Sequence, residues 1–218
     1  TIIGVGPELV KRAFGDLGVS VDCIFAGNWA QVQEAQKKGT VDVLAGVYLT
    51  EERKAAMEYS VPYTQDPVVL FVAKGKAFPF NKWEDLIGKR GTTTTGDSYG
   101  QKFDSFITAK LTMERAATVQ ENFEKLLSGK ADYFIFAMYS GNFEARKLNI
   151  LDKIEQIKKP ATVEDFYISV GKGSKYVSLL PELNRKIERM AKDGTVESLI
   201  KKYTTQYEKA LTAPPATK

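Results

Sequence analysis

GTVDVLAGVYLTEERKAAM, residues 39–57, contains a full turn of the fold's repeating pattern. Gly39 can stop a preceding helix, because glycine enters the left-handed region without a Cβ penalty. Val41 to Ala45 is an apolar run of strand length. Gly46 opens a loop, and Thr50, followed by Glu51 and Glu52, reads as the N-cap of a short helix with acids in its first turn. The order is helix stop, buried strand, loop, capped helix.

The same order repeats on both sides. Upstream, Leu9, Val10, Ala13, Phe14 and Leu17 share a helix face, Val21 to Phe25 reads as a strand, and Asn28 caps a helix carrying Trp29, Val32 and Ala35. Downstream, strands are expected over Val68–Ala73, Thr92–Thr95, Ala116–Val119, Tyr133–Ala137 and Phe166–Val170. Helices are expected after Asn81, after Ser98 (a Ser-x-x-Gln box with Phe103, Phe106 and Ile107 behind it), up to Gly129, and near Asn142–Leu148. Two more close the chain, Pro181–Lys192 and Val196 to about Lys209, before a Pro-rich loose tail, 211–218. Such alternation predicts an α/β fold with largely parallel sheets. One echo stands out: QKKGTVDVLAG (36–46) and LLSGKADYFIFA (126–137) align Gly39 with Gly129 and Asp42 with Asp132. Either one common helix-to-strand turn is used twice, or two lobes of similar design each carry ligand loops beyond a strand's carboxyl end.

Composition removes several classes of function. The 218 residues, 43% of them hydrophobic, can bury a core without staples. There is no histidine and one cysteine, Cys23, which excludes Ser-His-Asp and Cys-His catalysis and most zinc sites. We expect no metal, no cofactor and no catalytic residue. Net charge is +4, but basic residues are scattered among acids, so no nucleic-acid surface is expected. No apolar run reaches the roughly 18 residues of a membrane span. TIIGVGPELV lacks the basic and apolar blocks of a signal peptide, so one either never existed or has been removed.

Three features could hold a ligand. Gly91-TTTT-Gly96 has P-loop spacing, but Asp97 stands where the phosphate-binding lysine belongs and would repel phosphate. What survives is a turn at Gly96 followed by the amides of Ser98 and Tyr99 at an expected helix start. That turn could take an anion, or Asp97 or Ser98 could simply cap the helix. Arg53 sits in the first turn of a helix, where a cation is disfavoured; it either pairs with Glu51 or Glu52 or forks a ligand carboxylate. Trp29, Tyr48, Tyr99 and Tyr139 fall at strand-to-helix loops or helix starts, where they either pack or wall a pocket.

Taken together, these residues resemble the family 3 extracellular solute-binding proteins, the amino-acid-binding partners of ABC transporters. The resemblance rests on VDVLAGVYLTEERKAAMEYSVPYTQDPVVLFVAK, on GVGPELVKRAFGDLGV (with Gly6 in place of the usual first acid and Glu8 keeping the second), on WEDLIGKRGTTTTGDSYG and on KDGTVESLIKKY. It implies a type II periplasmic-binding-protein fold: lobe 1 from 1–65 plus 166–210, lobe 2 from 66–165, and a hinge of two crossing strands. It implies that Arg53 takes the ligand's carboxylate, that Gly46, Tyr48 and Thr50 line the loop beside it, that Gly96, Asp97 and Ser98 offer the second lobe's helix start, and that Trp29 and Tyr99 frame the side chain. It also implies a monomer in the periplasm that passes a small carboxylate-bearing solute, with an amino acid as one candidate, to an ABC permease. A sensor domain of the same fold, or a cyclic-acid dehydratase-like enzyme using Glu144 or Asp97, are the alternatives. The sequence departs from the family at three points. The family's first strand, with its stacking aromatic, is not in this chain. Ala137 stands where the acid for the ligand's amino group is expected, so Asp97 substitutes or the ligand lacks an amine. Tyr48 replaces a small hydroxyl residue.

Overall fold

The computed structural model describes residues 2–212. Eight strands form one open, mixed sheet: β1 (Val43–Val47), β2 (Met57–Tyr59), β3 (Thr64–Ala73), β4 (Arg90–Thr94), β5 (Thr112–Ala116), β6 (Tyr133–Ala137), β7 (Ile154–Gln156) and β8 (Thr162–Gly171). The path runs β1-β8-β3-β6-β4-β5, with β2 on β8 and β7 on β3. The helices are α1 (Val5–Gly15), α2 (Trp29–Lys37), α3 (Glu51–Lys54), α4 (Gln101–Lys110), α5 (Val119–Leu127), α6 (Met138–Lys147), α7 (Leu180–Lys192) and α8 (Thr195–Thr212).

The long strands β3 and β8 organise the molecule. They run antiparallel, Thr64 opposite Phe166 through Val68 opposite Thr162. Beyond that shared segment, β8 continues to pair with β1 and β2, whereas β3 continues to pair with β6 and β7. Each end has its own core. At one, Leu9, Val10, Ala13 and Phe14 of α1 pack with Ile168, Leu183, Ile187, Leu199 and Tyr203. At the other, β3 and β6 are sandwiched: Leu70, Val72, Tyr133 and Ile135 face Phe103 and Leu86, while Phe71 and Phe134 face Phe123 and Ala145. Tyr48, although it follows β1, joins the second of these cores.

Parallel pairing is confined to β4-β5 and β4-β6; the other pairings are antiparallel. The alternation rule assumes that each helix returns the chain to a parallel neighbour, whereas here two crossing strands join the ends. Val21–Phe25 is not a strand: it runs alongside without sheet partners, with Ile24 and Phe25 exposed. β-branched residues make a strand only where a ladder is offered. The strand expected at Ala116–Val119 ends at Ala116, because Thr118 accepts a hydrogen bond from the Glu121 amide and starts α5. The helix expected after Asn81 is a single 3-10 turn, Trp83–Leu86, whose entry is held by Asp85 accepting from the Asn81 and Lys82 amides. Of the tail expected at 211–218, residues 213–218 lie outside the described residues; α8 reaches Thr212.

The echo is one turn built twice. After Gly39, the Thr40 and Val41 amides both donate to Ala35 O; after Gly129, the Lys130 and Ala131 amides both donate to Lys125 O. Both glycines have positive φ, 76° and 72°, as a left-handed helix stop requires.

Candidate functional site

β1 leaves the sheet at a bulge, where Gly46 adopts φ 81° and the pairing with β8 shifts between Ala45 and Val47. The chain then delivers Tyr48 inward and reaches Thr50, whose hydroxyl accepts the Arg53 amide at 3.1 Å and starts α3 as its sequence predicted. This cap fixes Arg53, which is only 8% exposed. Its Nε donates to Gln33 Oε1 at 3.0 Å, Nη1 to Tyr48 O at 3.0 Å and Nη2 to Gly96 O at 3.1 Å. Trp29, the first residue of α2, lies under the guanidinium at 5.5 Å. Burial pulls Arg53 below the ordinary guanidinium value, partly offset by nearby groups that include Tyr59 and Asp97.

Arg53 therefore reaches from the β1 end of the sheet to the turn after β4. Gln33 follows it, with Nε2 donating to Gly96 O at 3.3 Å. Gly96 (φ 84°) lets α2 approach closely; a Cβ there would stand 3.2 Å from Gln33 Nε2 and 3.5 Å from Ala30 Cβ.

The Gly96 turn itself differs from its expected form. The helix begins at Gln101, not at Ser98, with Gly100 as N-cap and no side-chain cap. Asp104, in the first turn, accepts both the Tyr99 amide at 2.8 Å and the Ser98 hydroxyl, so the Tyr99 amide is not an unpaired donor. Ser-x-x-Gln spacing cannot reveal that an acid three positions beyond the glutamine outcompetes it. Tyr99 is 2% exposed and points into the core. Its hydroxyl donates to Ile135 O at 2.7 Å and sits close to Thr93 Oγ1 and to Asp97 Oδ2, the latter at 3.3 Å. Burial raises Asp97 to about 6, opposed by the Tyr99 and Thr94 hydroxyls and by Arg53.

The residue that sequence reading missed is Asp66. It lies on β3 where that strand crosses β8, and it is 1% exposed. Oδ2 accepts the Tyr48 hydroxyl at 2.7 Å; Oδ1 has no hydrogen-bond partner among the described residues. Burial raises its carboxyl to about 6, with the Tyr48 bond pulling the other way. Tyr48 thus links two charges, its carbonyl on Arg53 and its hydroxyl on Asp66, while its ring stacks on Phe166 at 4.9 Å. A single Asp inside an apolar run, TQDPVVLFV, was the available signal.

Asp66 lines a cavity of about 520 Å³. One wall comes from Val5 to Pro7, Ala45, Gly46 and α8; the other from Phe136 and α6, including Tyr139, Ser140 and Glu144; Tyr63 to Asp66 and Phe166 form the floor. Of the expected site residues, Gly46 and Tyr139 line this cavity. Trp29, Tyr48, Thr50, Arg53 and Gly96 form a contiguous cluster beside it, with Asp97 next to Gly96. Ser98 and Tyr99 are engaged in the α4 entry and the core. A second hollow, about 440 Å³, lies between the 19–24 segment and β1, where Val10, Phe14, Val21 and Leu44 make it largely apolar.

The raised carboxyls give stability a definite pH dependence. Asp66 and Asp97 hold protons in the folded chain up to about pH 6, whereas an ordinary Asp releases them near 3.8. Between those values the folded state binds more protons, so stability rises on acidification from pH 7 towards 4.5 and is lost as pH climbs through 6. For fully buried Asp66 the contribution is about 3 kcal/mol. Urea unfolding at pH 7 and 4.5 should show the higher midpoint at 4.5, and Asp66→Asn should flatten the difference. A midpoint that drops at 4.5 in the parent protein would contradict the burial of these groups.

The comparisons agree with this architecture. The chain matches "Bacterial extracellular solute-binding proteins, family 3" over residues 1–206, and it belongs to that family. It is 26% identical over 181 residues to a probable histidine-binding protein of Neisseria gonorrhoeae, covering 80% of this chain and 65% of that one. It is 22% identical to the L-cystine-binding protein TcyJ of Escherichia coli, covering 93% and 74%. A membrane-bound lytic murein transglycosylase F of Pseudomonas fluorescens is 32% identical over 97 residues, 44% of this chain, and the match covers 20% of the enzyme. Among solved structures, an ancestral arginine-binding protein bound to glutamine superposes with TM-score 0.74 at 27% identity, over 93% of this chain and 88% of that one. ArgBP from T. maritima superposes with TM-score 0.76 at 23% identity, over 94% and 86%. The fold is that of the type II periplasmic binding proteins. No described helix is long and apolar enough to cross a membrane.

Proposed function

We propose that this chain is the periplasmic binding component of an ABC importer for a small carboxylate-bearing solute, an amino acid, and that it acts by capture rather than catalysis. Residues 1–65 with 166–210 form one lobe and 66–165 the other, with β3 and β8 as the hinge. The observation that carries this reading is Arg53 reaching across to Gly96 O beside a cavity of about 520 Å³ that both ends of the sheet enclose. That volume lies in the range of small-molecule sites. A carboxylate is a stronger acceptor for a guanidinium than a neutral carbonyl. A solute carboxylate entering between the lobes displaces Gly96 O or Tyr48 O, and contact with both lobes favours the closed arrangement.

The relatives and the bound solved structures, named as histidine-, cystine- and arginine-binding, support an amino acid as the solute. The test is a thermal-shift panel of the twenty L-amino acids, with native mass spectrometry of freshly purified protein. A cognate solute at 100 times its Kd stabilises by about 2.7 kcal/mol. A panel without any shift, together with no co-purified small molecule, would overturn the reading. Transport in vesicles carrying candidate permeases tests delivery separately.

A further inference from the structure

We propose that the cavity selects a solute whose side group carries a positively charged nitrogen, with Asp66 as its counter-ion. The inference rests on the capture reading above and assigns the specificity of the same site.

The cavity's charge is one-sided. Asp66 and Glu144 line it, and no Lys or Arg does so among its described lining residues. Glu144 has an ion partner, Lys147, at 3.3 Å on the same helix. Asp66 has none among the described residues: it accepts one neutral hydrogen bond from Tyr48, and Oδ1 is buried without a partner among them. A buried acceptor left unmet is costly, about 1–3 kcal/mol and more when charged, and such a group persists where a ligand completes it. The other groups facing Asp66 bring no positive charge: Tyr48 from the β1–α3 loop, Tyr63 just before β3 and, across the strand pair, Glu164 of β8. The remaining wall is aromatic, with Tyr63, Phe136, Tyr139 and Phe166. Aromatic faces tolerate an ammonium or guanidinium and pack its carbon stem. Arg53 is outside this wall, so the carboxylate and the cationic end of one solute are received in different places, joined by Tyr48.

An anionic side group would meet two carboxylates and no cation, and a neutral one offers Oδ1 at most an uncharged hydrogen bond, without the opposite charge. Among the described residues, the apolar hollow beside β1 carries no comparable orphaned group.

The test uses a pair of probes matched in shape and differing in charge, L-arginine and L-citrulline, titrated calorimetrically into the parent protein and into Asp66→Asn. The parent should bind L-arginine at least thirtyfold more tightly than L-citrulline, and the variant should lose that preference. L-arginine affinity should fall as pH drops below about 6 in the parent and should not do so in the variant. Because removal of a buried charge is not expected to unfold the chain, Asp66→Asn should keep its circular dichroism. Equal affinity for the two probes, or an unchanged preference in Asp66→Asn, overturns the assignment. If a neutral or acidic amino acid binds while L-arginine does not, capture stands and cation selection falls. If no amino acid binds, capture itself falls.

Discussion

Arg53→Ala is expected to lower solute affinity by roughly 30- to 5000-fold, the equivalent of about 2–5 kcal/mol for deleting one side of a desolvated charge pair. The guanidinium is held on Gln33, Tyr48 O and Gly96 O at 3.0–3.1 Å, and it is nearly buried. Truncation removes the fork for a carboxylate. It also removes the Nη2 contact to Gly96 O that ties α3 to the turn after β4. Arg53→Lys keeps the charge but not the planar geometry, and should fall between alanine and the parent. Calorimetry with the strongest binder of the amino-acid panel measures the loss, and circular dichroism confirms that the fold persists. Undiminished affinity in Arg53→Ala would remove Arg53 from solute recognition.

The second large effect is on stability. Phe134→Ala on β6 should destabilise the chain by about 3–5 kcal/mol. Its ring is fully buried and touches three others: Phe123 edge-on at 5.1 Å, Phe136 stacked at 5.2 Å and Phe71 at 6.1 Å. Removing it opens a void between β3 and α5 that the neighbouring strands, fixed by their ladders, cannot close. With total stabilities of about 5–15 kcal/mol for proteins generally, such a loss is a large share of what holds the chain folded. Urea unfolding should show a much lower midpoint. A shift under 1 kcal/mol would mean that the core is less tightly packed than these contacts require.

Local chemistry made much of the fold legible. Thr50, Asn28 and Gly39 do what their types predict, because a cap or a left-handed stop depends on a few neighbouring residues. The expected cluster of Trp29, Thr50, Arg53 and Gly96 also comes together, since Thr50 fixes α3 and Gly96 admits α2. What the sequence hides is decided by distant partners. Val21–Phe25 has strand composition but no ladder beside it. Ser98 has capping spacing, yet Asp104 takes its hydroxyl and the Tyr99 amide. The antiparallel crossing of β3 and β8 joins segments about a hundred residues apart, and no local period encodes it. Asp66 escaped notice for the same reason: its significance lies in being buried with an unmet oxygen, which only the packing of β8 and Tyr48 produces.

Tyr48 meets a cation through its backbone carbonyl and an anion through its hydroxyl. A change of side chain here removes the hydroxyl that Asp66 accepts but leaves the backbone carbonyl that Arg53 holds, so the anionic end of this cluster can be altered without touching its cationic end.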